Sequence, residues 1–270
     1  MFEFLTFGKV RRAFLLYTKT KPALGITAAE IKFVRSLQQK KYRRQTGLFV
    51  VEGVKPVTEL LDSDVAYDQI YTTEPLSFLP DDVVTVSNKE LERVSFLKNP
   101  NKVLAVAKIP HSSVDYKNDT ALLLDGIKDP GNLGTIIRTA KWFGVSDLIC
   151  VNDCVDAYDR KVVQSTMGAL FHVNVVYEDA DTAVANAEEN GYIITGTDMG
   201  GESVFSSKPE SKTMLVVGSE SQGMSEQVRG ACKKIVSIPN MESEQKVESL
   251  NAAISTGIIL AELKRKMSIG

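Results

Sequence analysis

The stretch KDPGNLGTIIR, residues 128–138, combines an asparagine, two glycines and an arginine in a pattern that a plain turn does not require. It follows the apolar segment ALLLD, which predicts a strand, and it continues into apolar residues at helical spacing. A turn before a helix favours Pro, Gly and Asn, but it does not require Arg138 in the helix. Alone, Asn132-x-Gly134 also fits a capped turn, and Arg138 also fits a surface ion pair.

Two other loops at the ends of predicted strands carry glycines and polar side chains. The segment GSESQG, residues 218–223, follows TMLVV, and Ile-Pro at 238–239 precedes a loop that leads to Ser-Leu-Asn at 249–251. In parallel α/β sheets, ligands bind beyond the carboxyl ends of the strands. Glycines at those ends allow the backbone to approach a ligand closely. Three such loops therefore predict one shared ligand site.

Several common motifs are missing from the sequence, and their absence narrows the function. It contains no GxxxxGK[ST] loop, no GxGxxG after the first strand, and no GxSxG elbow, because position 220 is Glu. Cys150 and Cys154 could face one way on a helix, but DLICVN predicts a strand. With only two histidines the tetrahedral ligand set is missing, so we expect no metal. Three cysteines without paired spacing argue against a disulfide scaffold. No apolar run approaches the ~20 residues of a membrane span.

Strands and helices that alternate along residues 120–270 must position the three loops. Apolar strands that alternate with helices predict an α/β domain with a mostly parallel sheet and helices on both faces. The predicted strands are ALLLD, DLICV, VNVVY, YIITGT, TMLVVGS and KIVSIP, and the predicted helices lie over 132–144, 159–171, about 181–190 and 248–266.

A smaller α/β domain is predicted over residues 26–108. Its predicted helices lie over 26–40, 54–63 and 88–96, and its predicted strands are LFVVEG, DQIYTT, DVVTVS and VLAVAK. We expect Asn88 to be the N-cap of the third helix. The polar, turn-rich residues 109–119 are the predicted linker. Residues 1–25 are expected to be an N-terminal extension packed on this domain, and a targeting segment is the alternative.

Basic residues are concentrated at the start of the chain. Residues 1–44 contain eleven Lys or Arg and two acidic residues, although the net charge of the whole chain is -2. Such an asymmetry indicates a polyanionic partner for this segment. Lys40, Lys41, Arg43 and Arg44, which surround Tyr42, are the candidate phosphate contacts, and a solvated surface is the alternative.

The three loops resemble the motifs of the SpoU–TrmH family of RNA ribose 2′-O-methyltransferases, in the SPOUT superfamily. The resemblance covers roughly residues 120–266, and Gly168-Ala169 after a basic helix also matches. More loosely, residues 26–108 resemble the ribosomal-protein-like RNA-binding domain that often precedes it. The first motif is matched by Asn132, Gly134 and Arg138, the second by Gly218, Ser219, Glu220 and Gly223, and the third by Ile238, Pro239, Ser249, Leu250 and Asn251.

The resemblance implies an enzyme that binds S-adenosyl-L-methionine (AdoMet) among the loops of a trefoil knot. It implies a cytoplasmic homodimer that methylates structured RNA, with ribosomal RNA favoured over tRNA, and RNA contacts from Lys40, Lys41, Arg43 and Arg44. We expect a side chain at Gly223 to collide with the cofactor or with loop backbone. The implied catalytic residues are Arg138, Asn132, Glu220, Ser249 and Asn251, and the implied cofactor-binding residues are Gly218, Glu220, Gly223, Ile238 and Leu250.

Two departures from the family pattern support a second hypothesis. The loop at 240–248 is longer than in the family and lacks its usual glycine, and Gln164 stands where a basic residue is frequent. The alternative function is therefore an RNA-binding protein that has the same fold but has lost methyltransferase activity.

Overall fold

Two sheets organise the computed structural model of the protein, which describes residues 25–241 and 249–269. Contacts divide these residues into two units. The first contains the described residues up to His111 together with Tyr158–Phe171, and the second contains Ser112–Ala157 and the described residues from His172 onward. The boundary after His111 lies inside the predicted linker 109–119. The predictions for residues 1–24 and 242–248 concern segments outside the described residues.

Short polar side chains cap several of the helices. The N-cap of the helix Asn88–Val94 is Ser87, not the predicted Asn88. Ser87 Oγ accepts a hydrogen bond from the backbone N of Glu90, and the Glu90 side chain accepts one from the backbone N of Ser87. The helices are α1 (Ala28–Ser36), α2 (Lys40–Thr46), α3 (Val54–Leu61), α4 (Asn88–Val94), α5 (Pro130–Trp142), α6 (Arg160–Thr166), α7 (Ala180–Glu189), α8 (Glu226–Ala231) and α9 (Ala252–Ile269).

The first unit contains a four-stranded mixed sheet with the order β1-β4-β2-β3. Strands β1 and β2 pair antiparallel with β4, and β2 pairs parallel with β3. Phe33, Val34, Leu48 and Tyr71 are fully buried in its core. The strands are β1 (Leu48–Glu52), β2 (Tyr67–Thr72), β3 (Val84–Thr85) and β4 (Val103–Lys108).

The second unit contains a six-stranded sheet with the order β10-β8-β9-β5-β6-β7, in which every pair of neighbours is parallel. This arrangement confirms the predicted parallel sheet, and it sets the carboxyl ends of β5 and β9 side by side. The strands are β5 (Thr120–Asp125), β6 (Asp147–Val151), β7 (Asn174–Tyr177), β8 (Ile193–Ser203), β9 (Thr213–Gly218) and β10 (Lys234–Ser237). No helix of the described residues is long and apolar enough to cross a membrane.

The helix predicted over 159–171 is interrupted, and its segment packs with the first unit. α6 ends before Met167 and Gly168, which both have positive φ, and a 3-10 turn follows over Ala169–His172. Within the first unit, the ring of Phe49 lies 4.9 Å from that of Tyr158 and 6.4 Å from that of Phe171. The apolar side chains of this segment therefore extend the core of the first unit.

We expect Gly168→Ala to destabilise the protein more than Gly144→Ala. Both glycines have positive φ, but a Cβ at Gly168 would lie 2.5 Å from Glu59 Cγ, whereas a Cβ at Gly144 would meet nothing within 4 Å. The left-handed backbone alone costs about 1–2 kcal/mol, and the overpacking adds about 1–3 kcal/mol. Chemical unfolding of the two variants measures the difference. Equal losses of unfolding free energy would contradict the close packing at Gly168.

Candidate active site

The side-chain amide of Asn251 joins the three loops that the sequence analysis singled out. Its Nδ2 donates one hydrogen bond to Oδ1 of Asn132 at 2.8 Å and another to Oε1 of Glu220 at 2.6 Å. An amide nitrogen carries two protons, so both donors of Asn251 are used. The structure thus brings together one predicted catalytic residue from each loop.

The oxygen of the same amide caps helix α9. Asn251 Oδ1 accepts hydrogen bonds from the backbone N of Ala253 at 3.0 Å and of Ile254 at 3.2 Å. Glu220 Oε1 accepts a third from the backbone N of Ala252 at 3.2 Å. A carboxylate at a helix N-terminus is also favoured by the helix dipole. Because Oδ1 faces the helix, Nδ2 is directed towards Asn132 and Glu220.

Asn132 is held in the first turn of α5, which packs against α9. Asp129 is the N-cap of α5, and its Oδ1 accepts a hydrogen bond from the backbone N of Asn132 at 2.8 Å. Pro130 takes the first position of the helix, where the missing N–H leaves no bond unmade. The Asp-Pro-Gly-Asn sequence therefore fixes where α5 begins and so where the Asn132 side chain lies.

The loop after β9 is a tight backbone hairpin that needs glycine at two positions for different reasons. Ser219 and Gly223 exchange two backbone hydrogen bonds of 3.0 and 2.8 Å. A Cβ at Gly218 would lie 2.3 Å from the carbonyl carbon of Gly223, so no side chain fits there. Gly223 has a φ of +68°, but a Cβ on it would meet no described atom within 4 Å. The predicted collision with loop backbone was therefore wrong for Gly223 and applies to Gly218.

The other predicted catalytic and cofactor-binding residues lie at the surface near these loops or on α5. Arg138 is exposed on α5 and makes no hydrogen bond or ion pair with any residue that the structure describes. Ser249 and Leu250 are exposed immediately before Asn251, and Ile238 is half-buried immediately after β10. No hydrogen bond links Arg138 to the Asn132–Glu220–Asn251 cluster within the described ranges.

The four predicted RNA-binding residues divide into an exposed set and a buried one. Lys40, Lys41 and Arg44 are exposed on α2, whereas Arg43 is only 2% exposed. Arg43 Nη1 donates to the carbonyl oxygens of Leu37 at 2.9 Å and Gln38 at 2.8 Å, and Nη2 lies 3.8 Å from Asp159 Oδ2. The prediction that Arg43 binds RNA is therefore corrected, because its guanidinium is used inside the first unit.

A buried thiol supports the start of the first loop. Cys154 Sγ accepts a hydrogen bond from the backbone N of Ile127 at 3.2 Å and donates one to the carbonyl oxygen of Leu124 at 3.1 Å. A hydrogen bond from the Cys150 side chain lowers the pKa of the Cys154 thiol, and burial opposes this change. Among the described residues, no group of His, Cys, Asp and Glu side chains could hold a metal ion.

Two further residues at this edge of the sheet were not predicted from the sequence. Asp125 is the last residue of β5 and is buried, and Asn152 follows β6 with a φ of +51°. The available signals were an acidic residue at the end of an apolar strand and an Asn-Asp pair after the next one, since Asn and Asp are enriched at positive φ.

The chain belongs to the SpoU rRNA Methylase family. The model of that family matches residues 119–261, more than half of the chain, and this range contains all three loops. A second model, the MRM3-like substrate binding domain, matches residues 28–105. The resemblance that the loops indicated is therefore confirmed for both parts of the chain.

Known proteins are similar to this chain over nearly its whole length. The 23S rRNA (guanosine(2553)-2'-O)-methyltransferase RlmP of Bacillus subtilis (strain 168) is 27% identical, over 87% of this chain and 96% of the relative. The 23S rRNA (uridine(2479)-2'-O)-methyltransferase of Streptomyces viridochromogenes is 27% identical, over 93% of this chain and 95% of the relative. The crystal structure of the AdoMet-bound rRNA methyltransferase from Sinorhizobium meliloti matches with a TM-score of 0.81 and 26% identity, over 90% of this chain and 97% of that one.

We expect Asn251→Asp to destabilise the protein although Asp is an equally good N-cap. The variant keeps an oxygen for the backbone N of Ala253 and Ile254, but it replaces a double donor with an acceptor beside Glu220 Oε1 and Asn132 Oδ1. The loss of these two exposed hydrogen bonds and the added like charge should lower the unfolding free energy by about 1–2 kcal/mol, because each such bond contributes about 0.5–1.5 kcal/mol and water can pair with the freed acceptors. Urea unfolding at neutral pH measures this loss, with Asn101→Asp at an exposed loop position as the control. Stability equal to that of the wild type would show that the amide donors do not hold the loops together.

Proposed function

We propose that the protein transfers a methyl group from AdoMet to the 2′-oxygen of a ribose in structured ribosomal RNA. The observation that carries this proposal is the hydrogen-bonded cluster of Asn132, Glu220 and Asn251, which draws one residue from each family motif. Two relatives are named for methylation of guanosine and of uridine in 23S rRNA. The feature that these two targets share is the ribose, not the base. Ribosomal RNA as substrate also supports a cytoplasmic location.

The residues at the carboxyl edge of the sheet fit a cofactor of the size and chemistry of AdoMet. The hairpin at 219–223 offers exposed backbone because Gly218 and Gly223 leave no side chain over it. Ile238 and Leu250 offer apolar surface for an adenine ring, and Glu220 offers a carboxylate for hydroxyl groups. These five residues would hold AdoMet, within the trefoil knot that we also propose from family membership. When bound, AdoMet supplies an electrophilic methyl group on a sulfonium.

Arg138 is proposed to bind the RNA at the reacting ribose. A guanidinium stays protonated in proteins, so we assign it the binding of the adjacent phosphate and the stabilisation of the 2′-oxygen, not the removal of its proton. Its exposure and its lack of a partner among the described residues support this role. Asn132, Glu220 and Asn251 are assigned to keep the loops in place, and the exposed Ser249 is assigned a hydrogen bond to substrate.

The protein is further proposed to act as a homodimer that contacts through α5 and α9. Trp142 on α5 is 84% exposed and Ile254 on α9 is 57% exposed. Exposed apolar side chains that form a contiguous patch are typical of surfaces that bind another protein, and α5 packs against α9. Trp142 lies one helical turn beyond Arg138, so both side chains are on the same face of α5. A dimer through this face would bring Arg138 towards the partner subunit.

The RNA contacts of the first unit are proposed to extend from α2 to α6. The ion pair between Arg43 and Asp159 ties α2 to the start of α6, where Arg160 and Lys161 are exposed. Arg160 Nη1 also donates to the carbonyl oxygen of Phe96 at 2.9 Å. We therefore add Arg160 and Lys161 to the exposed Lys40, Lys41 and Arg44 as phosphate contacts. In RNA recognition such contacts supply affinity, and the shape of the RNA supplies much of the specificity.

We expect Arg138→Ala to abolish most methyl transfer while the affinity for AdoMet stays unchanged. Loss of one preorganised charge at a reacting oxygen lowers the rate by about 10²–10³-fold. Arg138→Lys should restore little, because Lys lacks the planar pair of donors. Lys141→Ala, an exposed cation on the same helix, is the matched control. Single-turnover rates on methyl-free ribosomal RNA and calorimetry with AdoMet measure the two effects.

The same experiment separates the two functions that the sequence left open. A near-wild-type rate for Arg138→Ala would remove Arg138 from the reaction. A wild-type protein that binds ribosomal RNA but neither binds AdoMet nor transfers a methyl group would favour the RNA-binding alternative. Inactive Arg138→Ala subunits mixed with inactive Asn251→Ala subunits should regain activity if each site is shared between the two subunits of a dimer.

We expect neutralisation of the exposed cations of the first unit to flatten the salt dependence of RNA binding. In Lys40→Gln/Lys41→Gln/Arg44→Gln, the slope of log affinity against log salt should fall by about 0.7–0.9 for each lost phosphate contact. Arg160→Gln/Lys161→Gln should act in the same direction. Lys89→Gln, at an exposed position of α4, is the control. A wild-type slope in both multiple variants would mean that these side chains form only a solvated surface.

A further inference from the structure

A buried carboxylate in the second unit connects three of its loops. Asp125 is 3% exposed at the end of β5. Its Oδ1 accepts a hydrogen bond from Nδ2 of Asn152 at 2.8 Å, and its Oδ2 accepts one from the backbone N of Ser225 at 2.6 Å. Asn152 Nδ2 also lies 3.2 Å from Ser225 Oγ. The three residues form a closed ring that joins the ends of β5 and β6 to the loop after β9.

No basic side chain among the described residues forms an ion pair with Asp125, so hydrogen bonds alone satisfy its buried charge. A buried carboxylate without a cation is costly unless its oxygens accept strong hydrogen bonds. The two donors come from different loops, and each is lost if its loop moves. The ring therefore constrains the distance between these two loops.

The backbone next to the ring has a conformation that the ring helps to stabilise. Asn152 and Asp153 have φ values of +51° and +60°, in the left-handed region that L-residues rarely adopt. Each such residue costs about 1 kcal/mol or more. Asn is one of the few side chains that tolerates this region, and here its amide reaches Asp125. Asn152 is thus held in one orientation by Asp125 and Ser225.

The ring fixes one end of the hairpin that contains Glu220. At its first end the hairpin continues from Gly218 of β9, and at its other end Met224 is buried and Ser225 is bound to Asp125. Glu220 lies between these two fixed ends and accepts the hydrogen bond of Asn251. A change at Asp125 or Asn152 would therefore alter the position of Glu220 without touching it.

We propose that Asp125 and Asn152 are positioning residues for the methyl-transfer site, because their ring with Ser225 sets the position of the 219–223 hairpin. Neither residue belongs to the motif residues or to the proposed cofactor contacts. The inference rests on the proposed function in one respect, since the binding of AdoMet by the hairpin is itself proposed.

An exchange of the two side chains tests the ring. Asp125→Asn leaves a single acceptor oxygen for two donors, Asn152 Nδ2 and the backbone N of Ser225. Asn152→Asp replaces the donating amide with a second carboxylate next to that of Asp125. In the double variant Asp125→Asn/Asn152→Asp, the new amide can accept from the backbone N of Ser225 and donate to the new carboxylate. The charge then sits at position 152, which is exposed. The control is Asp153→Asn. Asp153 is exposed and has positive φ like Asn152, and its substitution removes one negative charge as Asp125→Asn does.

Two measurements separate a failure of this inference from a failure of the proposed function. Amide hydrogen exchange of residues 219–225 reports on the hairpin without any cofactor, and calorimetry reports the affinity for AdoMet. We expect each single variant to accelerate this exchange and to weaken AdoMet binding by about tenfold or more, the scale of one buried polar group left unpaired. The double variant should return both values to within about threefold of the wild type, because the two changes are coupled.

Thermal unfolding of all variants identifies a merely structural role, which would lower stability without a change in AdoMet affinity at low temperature. The positioning role would be overturned if the single variants had the hydrogen exchange and the AdoMet affinity of the wild type. It would also be overturned if the effects of the two single changes simply added in the double variant. Exchange that follows the expected pattern would support the positioning role even if the wild type failed to bind AdoMet, and that failure would contradict the proposed function instead.

Discussion

The arrangement of the site depends on the two hydrogen bonds that the Asn251 side chain donates to Asn132 and Glu220. These residues are distant in sequence, and each lies where a loop leaves the sheet or enters a helix. The amide joins the loops only while both acceptors are present, because Asn132 and Glu220 belong to different loops. Two other devices bring the acceptors into place: Asp129 and Pro130 begin α5 at a fixed residue, and the Ser219–Gly223 hairpin turns Glu220 towards α9. The parallel pairing of β5 with β9 sets both loops at the same edge.

Cations in this protein have different roles that residue type alone does not reveal. Arg43 is buried and binds backbone carbonyls, so it stabilises the first unit. Lys40, Lys41 and Arg44 on the same helix face solvent, as does Arg138 on α5. Burial decides between these roles, because a guanidinium whose donors are already used cannot bind a phosphate. The segment Tyr158–Phe171 adds a further distinction, since it lies within the matched methylase range but packs with the first unit.

The sequence predicted most of the fold and the residues that meet at the site, but it did not predict which tertiary contacts hold them there. Apolar strands alternating with helices predicted the parallel sheet, since both faces of such a strand are buried. The glycines at the strand ends marked the three loops, and the resemblance to the family motifs then implied Asn132, Glu220 and Asn251. Periodicity could not predict that Arg43 is buried, since α2 is short and carries no apolar stripe. It also could not assign 158–171 to the first unit, because the contacts of Phe49 with Tyr158 and Phe171 are tertiary. The collision with loop backbone that was expected at Gly223 occurs at Gly218 instead, which only the hairpin geometry reveals.

Labelling of ribosomal RNA shows whether the three loops form the proposed site for methyl transfer to ribose. Ribosomal RNA from cells that lack the protein is incubated with the purified protein and AdoMet that carries an isotopically labelled methyl group, and the RNA is then digested to nucleosides for mass spectrometry. We expect a single nucleoside to gain the label on its ribose and the Arg138→Ala protein to transfer almost none. Label on a base, or RNA binding without any transfer of label by the wild-type protein, would contradict this expectation.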